Sequence, residues 1–252
     1  VARCFIGFGG NVGDVASRLA DVVEGLNRPP FVRPVRVSGL YRTTPMGPDA
    51  GATFLNAALA VETAATPREL LQGLQALERA AGRERSAPWQ PRPLDLDLLL
   101  VNGEIHSSPQ LTIPHPHLWY RRFVLDPLVE IAGDVRHPVL EVTLAALRER
   151  LWERPLPVAV VGRDAAAATS LAETLRARFP EAVVTTEASG PNTPEPALTL
   201  SLDVPRDRSS LRSLRWIELP TLPGSLVAAA DSVLTAALDE PILYSRPLLR
   251  MP

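Results

Sequence analysis

The chain has 252 residues, 46% of them hydrophobic, and a formal net charge of −2, which suits one large domain or two ordinary ones with a proper core. No apolar run approaches the roughly 20 residues needed to cross a bilayer, and near-neutrality argues against bulk nucleic-acid binding. The lone Cys4 excludes an internal disulfide and any cysteine-based zinc site. All 26 basic residues are arginine, which removes lysine Schiff-base chemistry and the phosphate-loop lysine but supplies permanently charged forks suited to phosphate. The N-terminal "VARCFIGFGG" lacks the layout of a signal peptide, so a soluble, cytoplasmic protein is expected.

In chain order, residues 2–8 read as a strand running into "GGNVGD", where Asp14 caps a helix with Leu19, Val22, Val23 and Leu26 on one face. Residues 35–42 and 54–62 read as a second and a third strand. In the third, Leu55, Ala57, Leu59 and Val61 face the core, and Phe54 and Asn56 face the other way together. "TPRE" starts a helix, with Thr66 as cap, Pro67 at the first position and Glu69 closing a capping box. Leu70, Leu71, Leu74 and Leu77 form its stripe, and Gly82 stops it. A Pro-rich loop leads to a strand at 94–101, and two further helical stretches reach about residue 152. "ERPLP" at 153–157 reads as a linker. Beyond it, strands around 158–163, 181–187, 198–204 and 215–219, with helices at 165–178 and near 225–239, make a small α/β unit. No internal repeat relates the halves. The expected organisation is therefore a domain over 1–152, a linker and a second small α/β domain over 158–252. A chain ending near Arg154 is expected to fold alone.

The most telling stretch is "RPLDLDLLL". Strand alternation sends Leu94, Leu96 and Leu98 one way and Asp95 and Asp97 the other. Two carboxylates on one face repel unless something positive sits between them: either the face is exposed and salt-bridged by arginines, or it holds Mg²⁺, which prefers one or two carboxylates completed by phosphate and water oxygens. Arg79, Arg83, Arg85, Arg92, Arg121 and Arg122 surround the acids in sequence, which suits a polyphosphate. His115 and His117 follow in "IPHPHLWYRRF", with loop packing the plainer reading for His117. His106 and His137 read as surface residues. Phe54, Asn56 and Phe123 suit a flat heterocycle that wants stacking and edge hydrogen bonds. "GFGGNVG" has the wrong spacing for a dinucleotide fingerprint and reads as a glycine-rich strand-to-helix turn presenting Asn11.

The segments "FIGFGGNVGD", "LYRTTPMGP", "FLNAALAVET", "LLQGLQALERAAGRER", "PRPLDLDLLL" and "LTIPHPHLWYRRFVLDPLVEIAGD" resemble, in order and over about residues 1–150, the 6-hydroxymethyl-7,8-dihydropterin pyrophosphokinase family of folate biosynthesis. The resemblance implies an α/β (α+β) ferredoxin-like three-layer core. It also implies transfer of the β,γ-diphosphate of ATP to the pterin hydroxymethyl group, with release of AMP. By position, it assigns two Mg²⁺ to Asp95 and Asp97. It assigns ATP and phosphate contacts to Arg83, Arg85, Trp89, Arg92, His115 and Arg121, with Arg83, Arg85 and Trp89 on a catalytic loop. Pterin contacts fall to Thr43, Thr44, Pro45, Met46, Phe54, Asn56 and Phe123, and Glu78 matches an acid near the site. Gly10 stands where the family usually has serine, and Gln90 where it has glycine. Small-molecule substrates and a monomer or weak homodimer are expected, with no nucleic acid or membrane partner. Two rivals remain: a Mg²⁺-dependent phosphohydrolase, and a non-catalytic nucleotide or pterin sensor with the C-terminal unit as output.

Overall fold

The computed structural model describes residues 1–27, 32–46, 51–83, 91–186, 195–203, 216–222 and 224–246. The chain divides into two compact units. One comprises Val1–Leu147 together with the chain from Asp239, and the other is Arg148–Leu238.

The first unit is built on β1 (Ala2–Gly10), α1 (Val15–Leu26), β2 (Val32–Val37), β3 (Leu40–Thr43), β4 (Phe54–Thr63), α2 (Pro67–Ala80) and β5 (Asp95–Val101). After these come the short β6 (His106–Ser107) and β7 (Thr112–Ile113), then α3 (Arg122–Ala132) and α4 (Leu144–Arg150). β1 is central and antiparallel to both β4 and β5, while β2 and β3 both pair with β4. This is the ferredoxin-like order, with local contacts setting the helices. Asp14 accepts the Ser17 N–H at the start of α1, and Thr66 and Glu69 form the reciprocal capping box of α2. Cys4, Ile6 and Phe8 of β1, Leu59 and Val61 of β4, and Leu96 and Leu98 of β5 form one buried face with Leu19 and Val22 of α1 and Leu70 and Leu74 of α2. Phe5, Ala58, Ala60 and Leu100 are buried on the other face, where α3 packs with its fully buried Leu125 and Leu128. Helix, sheet and helix thus make the expected three layers.

Two local readings need correction. The stretch 35–42 is not one strand, because Ser38 and Gly39 interrupt it. The Ser38 hydroxyl accepts the Ala58 N–H at 2.8 Å in place of a ladder bond, and the Gly39 N–H donates to Glu130 Oε2 at 2.9 Å. His137 is not a surface residue but is 5% exposed. Its Nδ1 accepts the backbone N–H groups of Val139 and Leu140, at 3.3 and 3.2 Å, organising the turn before α4.

The second unit holds β8 (Leu156–Val161), α5 (Ala165–Arg178), β9 (Ala182–Thr185), β10 (Leu198–Ser201), β11 (Trp216–Glu218) and α6 (Leu226–Leu238). Its four strands are all parallel in the order β11-β10-β8-β9, so it is a small α/β unit as expected. The expected linker is partly strand, since Leu156 and Pro157 already pair with Ala182 and Val183. The larger difference is at the far end. A strand absent from the sequence reading, β12 (Ile242–Ser245), belongs to the first unit and pairs antiparallel with its β3. A chain ending at Arg154 therefore lacks an edge strand of the first sheet, and the second unit is set within the sequence of the first rather than appended to it.

Candidate active site

The site begins with glycines. Gly9 lies opposite both Asn56 of β4 and Asp95 of β5, and Gly7 lies opposite Asp97. Paired residues share a face of the sheet, so these two glycines leave a gap beneath the acids and the amide. A Cβ on Gly9 would come 2.7 Å from Asn56 Oδ1. The gap is the floor of a cavity of about 310 Å³ lined by Thr43, Thr44, Met46, Phe54, Asn56, Arg83, Arg92, Asp95, Asp97, His115, Arg121 and Phe123. Nearly every site residue read from the sequence therefore meets in one place. Pro45 follows Thr44 but does not line the cavity. Arg85, Trp89 and Gln90 lie outside the described residues.

Asp95 is gripped by guanidinium groups. Arg83 donates to its Oδ1, and Arg92 to its Oδ2 at 2.7 Å. Arg83 also donates to Glu78, an acid only 2% exposed on α2. β5 is an edge strand of the sheet, so the Leu96 N–H points outward, and Glu78 accepts it at 2.8 Å. Glu78 thus ties helix, strand and Arg83 together. Its place on the Leu70–Leu74 stripe, four residues further along α2, is the signal that would have found this role. Burial pushes the carboxyls of both Asp95 and Asp97 up from their ordinary range; Asp97 adds to this at Asp95, while Arg92 and Arg83 pull the other way. At Asp97 the opposing charges are Arg121, Arg83 and Arg92, and Glu78 adds to the rise.

His115 and His117 both line the cavity, and His117 stands in a turn between β7 and α3. Burial, followed by the Arg121 charge, holds each imidazole down to about 3, so both rings are neutral at physiological pH. The His117 backbone N–H donates to His115 Nδ1 at 3.3 Å. The proton of neutral His115 therefore sits on Nε2, making that nitrogen a donor. Arg121 lies over the Phe123 ring at 5.6 Å and Arg92 over the Phe54 ring at 5.8 Å, so each aromatic wall carries a cation. The Asn56 amide donates to Thr43 Oγ1 at 2.6 Å, leaving its oxygen over the Gly9 gap.

Asn11 does not enter the cavity. It zips loops instead: its Oδ1 accepts the Arg92 N–H and its Nδ2 donates to the Ala52 carbonyl, both at 2.9 Å. Gly10, the departure from the usual serine, is matched by a close approach. A Cβ there would lie 2.7 Å from the Pro93 carbonyl oxygen, so a serine requires the segment before the acids to shift.

The buried histidines contribute to the acid response. His137 is held to about 4 by burial, against an ordinary value of about 6.5. Between those values the unfolded chain binds the proton that folded His137 refuses, so stability falls as pH falls through that window. His115 and His117 act in the same sense, and the two raised aspartates in the opposite sense. Urea unfolding at pH 6.5 and 5 is expected to give a smaller pH dependence in His137→Asn, by up to about one proton. An unchanged slope would count against a neutral buried His137.

Residues 5–133 match the family model described as 7,8-dihydro-6-hydroxymethylpterin-pyrophosphokinase (HPPK). Among curated proteins, the 2-amino-4-hydroxy-6-hydroxymethyldihydropteridine pyrophosphokinase of Methylorubrum extorquens is 43% identical over 135 residues, covering 54% of this chain and 85% of that one. The Bacillus subtilis protein of the same name is 37% identical over 150 residues, 60% of this chain and 90% of that one. A solved Plasmodium falciparum HPPK-DHPS structure aligns with 80% of this chain and 62% of its own, at 12% identity and a TM-score of 0.46. The sequence matches and the three-layer first unit define an α/β diphosphotransferase. The chain belongs to the 7,8-dihydro-6-hydroxymethylpterin-pyrophosphokinase family.

Proposed function

We propose that the chain transfers the β,γ-diphosphate of ATP to the hydroxymethyl group of 6-hydroxymethyl-7,8-dihydropterin, releasing AMP, in folate biosynthesis. The observation that carries this reading is the convergence of an acid pair, guanidinium groups and an aromatic–amide edge on one cavity. Asp95 and Asp97 are suited to holding Mg²⁺. Among the described residues no group of three or more His, Cys, Asp or Glu side chains could hold a metal. A two-carboxylate site completed by phosphate and water oxygens is what Mg²⁺ favours. Although arginines engage both Asp95 oxygens, each keeps a second lone pair. Two bound Mg²⁺ would supply charge neutralisation on the transferring diphosphoryl group.

The chain's own residues supply the rest. Arg83, Arg92 and Arg121 present fixed cations to the polyphosphate, with Arg85 and Trp89 assigned to the same nucleotide. His115 Nε2–H adds a donor that stays protonated without carrying charge. Phe54 and Phe123 stack the pterin, Asn56 offers its amide oxygen to the pterin edge, and Thr43, Thr44 and Met46 form a wall. The pterin hydroxyl attacks the β-phosphorus in line as the bond to the α-phosphate's bridging oxygen breaks; AMP leaves and the hydroxyl proton passes to solvent. An imidazole held near 3 is too weak to serve as a general base, so positioning and charge carry the step.

The assay is AMP release with Mg²⁺, ATP and the reduced pterin. A phosphohydrolase would consume ATP without the pterin, and a sensor would bind both without forming AMP. Asn56→Ala is expected to weaken pterin binding by roughly ten- to a hundredfold, the loss from one buried hydrogen-bonding group. ATP binding should change less than twofold. Calorimetry on each ligand separately checks this, and equal losses would remove Asn56 from the pterin edge.

A further inference from the structure

We propose that Asp239, carried back to the first unit just ahead of β12, is a positioning residue for the pterin wall formed by Thr44 and Met46. The proposal rests on the reading of that wall given above, and it assigns a substrate-site role to chain beyond residue 133, where the family match ends.

Three observations converge. First, Asp239 Oδ1 accepts the Thr44 backbone N–H at 3.2 Å across 195 residues of sequence, at the point where β3 ends and the cavity lining begins. Second, Asp239 is 7% exposed and lies within electrostatic reach of Arg122, the buried first residue of α3. Arg122 is itself clamped by Asp126 through bonds of 2.9 and 2.7 Å, and the next residue, Phe123, is an opposing wall of the cavity. Asp239 is therefore tied to the Thr44 turn by hydrogen bonding and to the base of the Phe123 wall by charge. Its other oxygen is buried without a hydrogen-bond partner among the described residues, so its directional contacts are with Thr44, through backbone and side chain, and with the Glu240 backbone. Burial pushes its carboxyl up, and the Thr44 bonds and Arg122 pull it down.

Third, β12 guards the strand that leads into the wall. β3 has only four residues, and its inner edge pairs with β4 so that Tyr41 lies opposite Asn56 and Thr43 opposite Phe54. Its outer edge pairs with β12, Leu243 opposite Tyr41 and Ile242 opposite Arg42. A four-residue strand held on one side alone is marginal. A Cβ on Gly39 would come 2.4 Å from Leu243 Cδ1, so the break before β3 also leaves room for the returning strand.

Steady-state kinetics on the full chain, varying the pterin and ATP separately, test the proposal. Asp239→Ala is expected to raise KM for the pterin about tenfold, the usual loss for one charge-assisted hydrogen bond, with kcat and KM for ATP within twofold. Asp239→Asn, which keeps an acceptor for the Thr44 amide, should return KM to within threefold of the parent. Equal losses in both substrates, no change, or failure of the Asn variant to rescue would overturn it. If Asp239→Ala is unfolded by circular dichroism, Asp239→Ser, polar but too short to reach the amide, is scored on the same criteria. Should neither fold, Asp239 is a determinant of the fold and the proposal fails. Asn56→Ala, run alongside, separates the two readings. If Asn56→Ala spares pterin KM, the pterin wall itself is misassigned; if it raises KM while Asp239→Ala does not, only the role of Asp239 falls.

Discussion

Turnover in Asp97→Ala is expected to fall on the order of a thousandfold, the scale of losing several kcal/mol of transition-state charge stabilisation at a metal carboxylate. The fold should survive. Burial and the nearby Glu78 both penalise the ionised Asp97 carboxylate, and the arginines only partly offset them. A folded-state pKa above the unfolded one means that ionisation at neutral pH works against the fold, so Tm without Mg²⁺ should stay level or rise. In the parent, adding Mg²⁺ and an ATP analogue should raise Tm by mass action, and the variant should lose most of that increment. Near-parental turnover, or an undiminished ligand-induced rise, would sink the assignment of Asp97 to the metal.

The second large effect is on stability. Glu78→Ala leaves the Leu96 N–H without the acceptor it has in the native protein and Arg83 without one of its two anionic partners among the described residues. Breaking a largely buried ion pair on one side costs about 3 kcal/mol or more, and the orphaned amide adds to it. For a protein of this size that is a fall in Tm of roughly 6–12 °C. Glu78→Gln keeps an acceptor for Leu96 but loses the charge facing Arg83, so it should fall between parent and alanine variant. A Tm within 2 °C of the parent for Glu78→Ala would show that the contact is incidental. Activity should fall in both variants, because Arg83 would no longer be held against Asp95.

What could be read from residues alone followed the range of the interactions involved. The capping box at Thr66 and Glu69, the outward pair Phe54 and Asn56 and the outward pair Asp95 and Asp97 depend on neighbours within a few positions, and all stand as read. Gly39 inside an apparent strand was a visible sign of a bulge or a close backbone approach, though nothing nearby in sequence announced Leu243 as the close neighbour. β12 left no usable trace. Its four residues follow a proline, its outward side chains are apolar and exposed, and its partner lies two hundred positions earlier. His137 read as a surface residue because a turn histidine and a buried turn histidine look alike until the two amides it accepts are in place.

The return of the chain at Asp239 also orders events during synthesis. β1, β3, β4 and β5 all leave the ribosome before the stretch Arg148–Leu238 is made, yet the partner that closes the outer edge of β3 comes after it. Until then a nascent first unit carries an uncovered strand edge, a site for pairing with another chain, and its Thr44 amide has no Asp239 to meet. Ribosome-stalled chains arrested within Arg148–Leu238 should therefore be the aggregation-prone species of this protein, and a second unit that folds promptly would shorten the interval by bringing the closing strand back sooner.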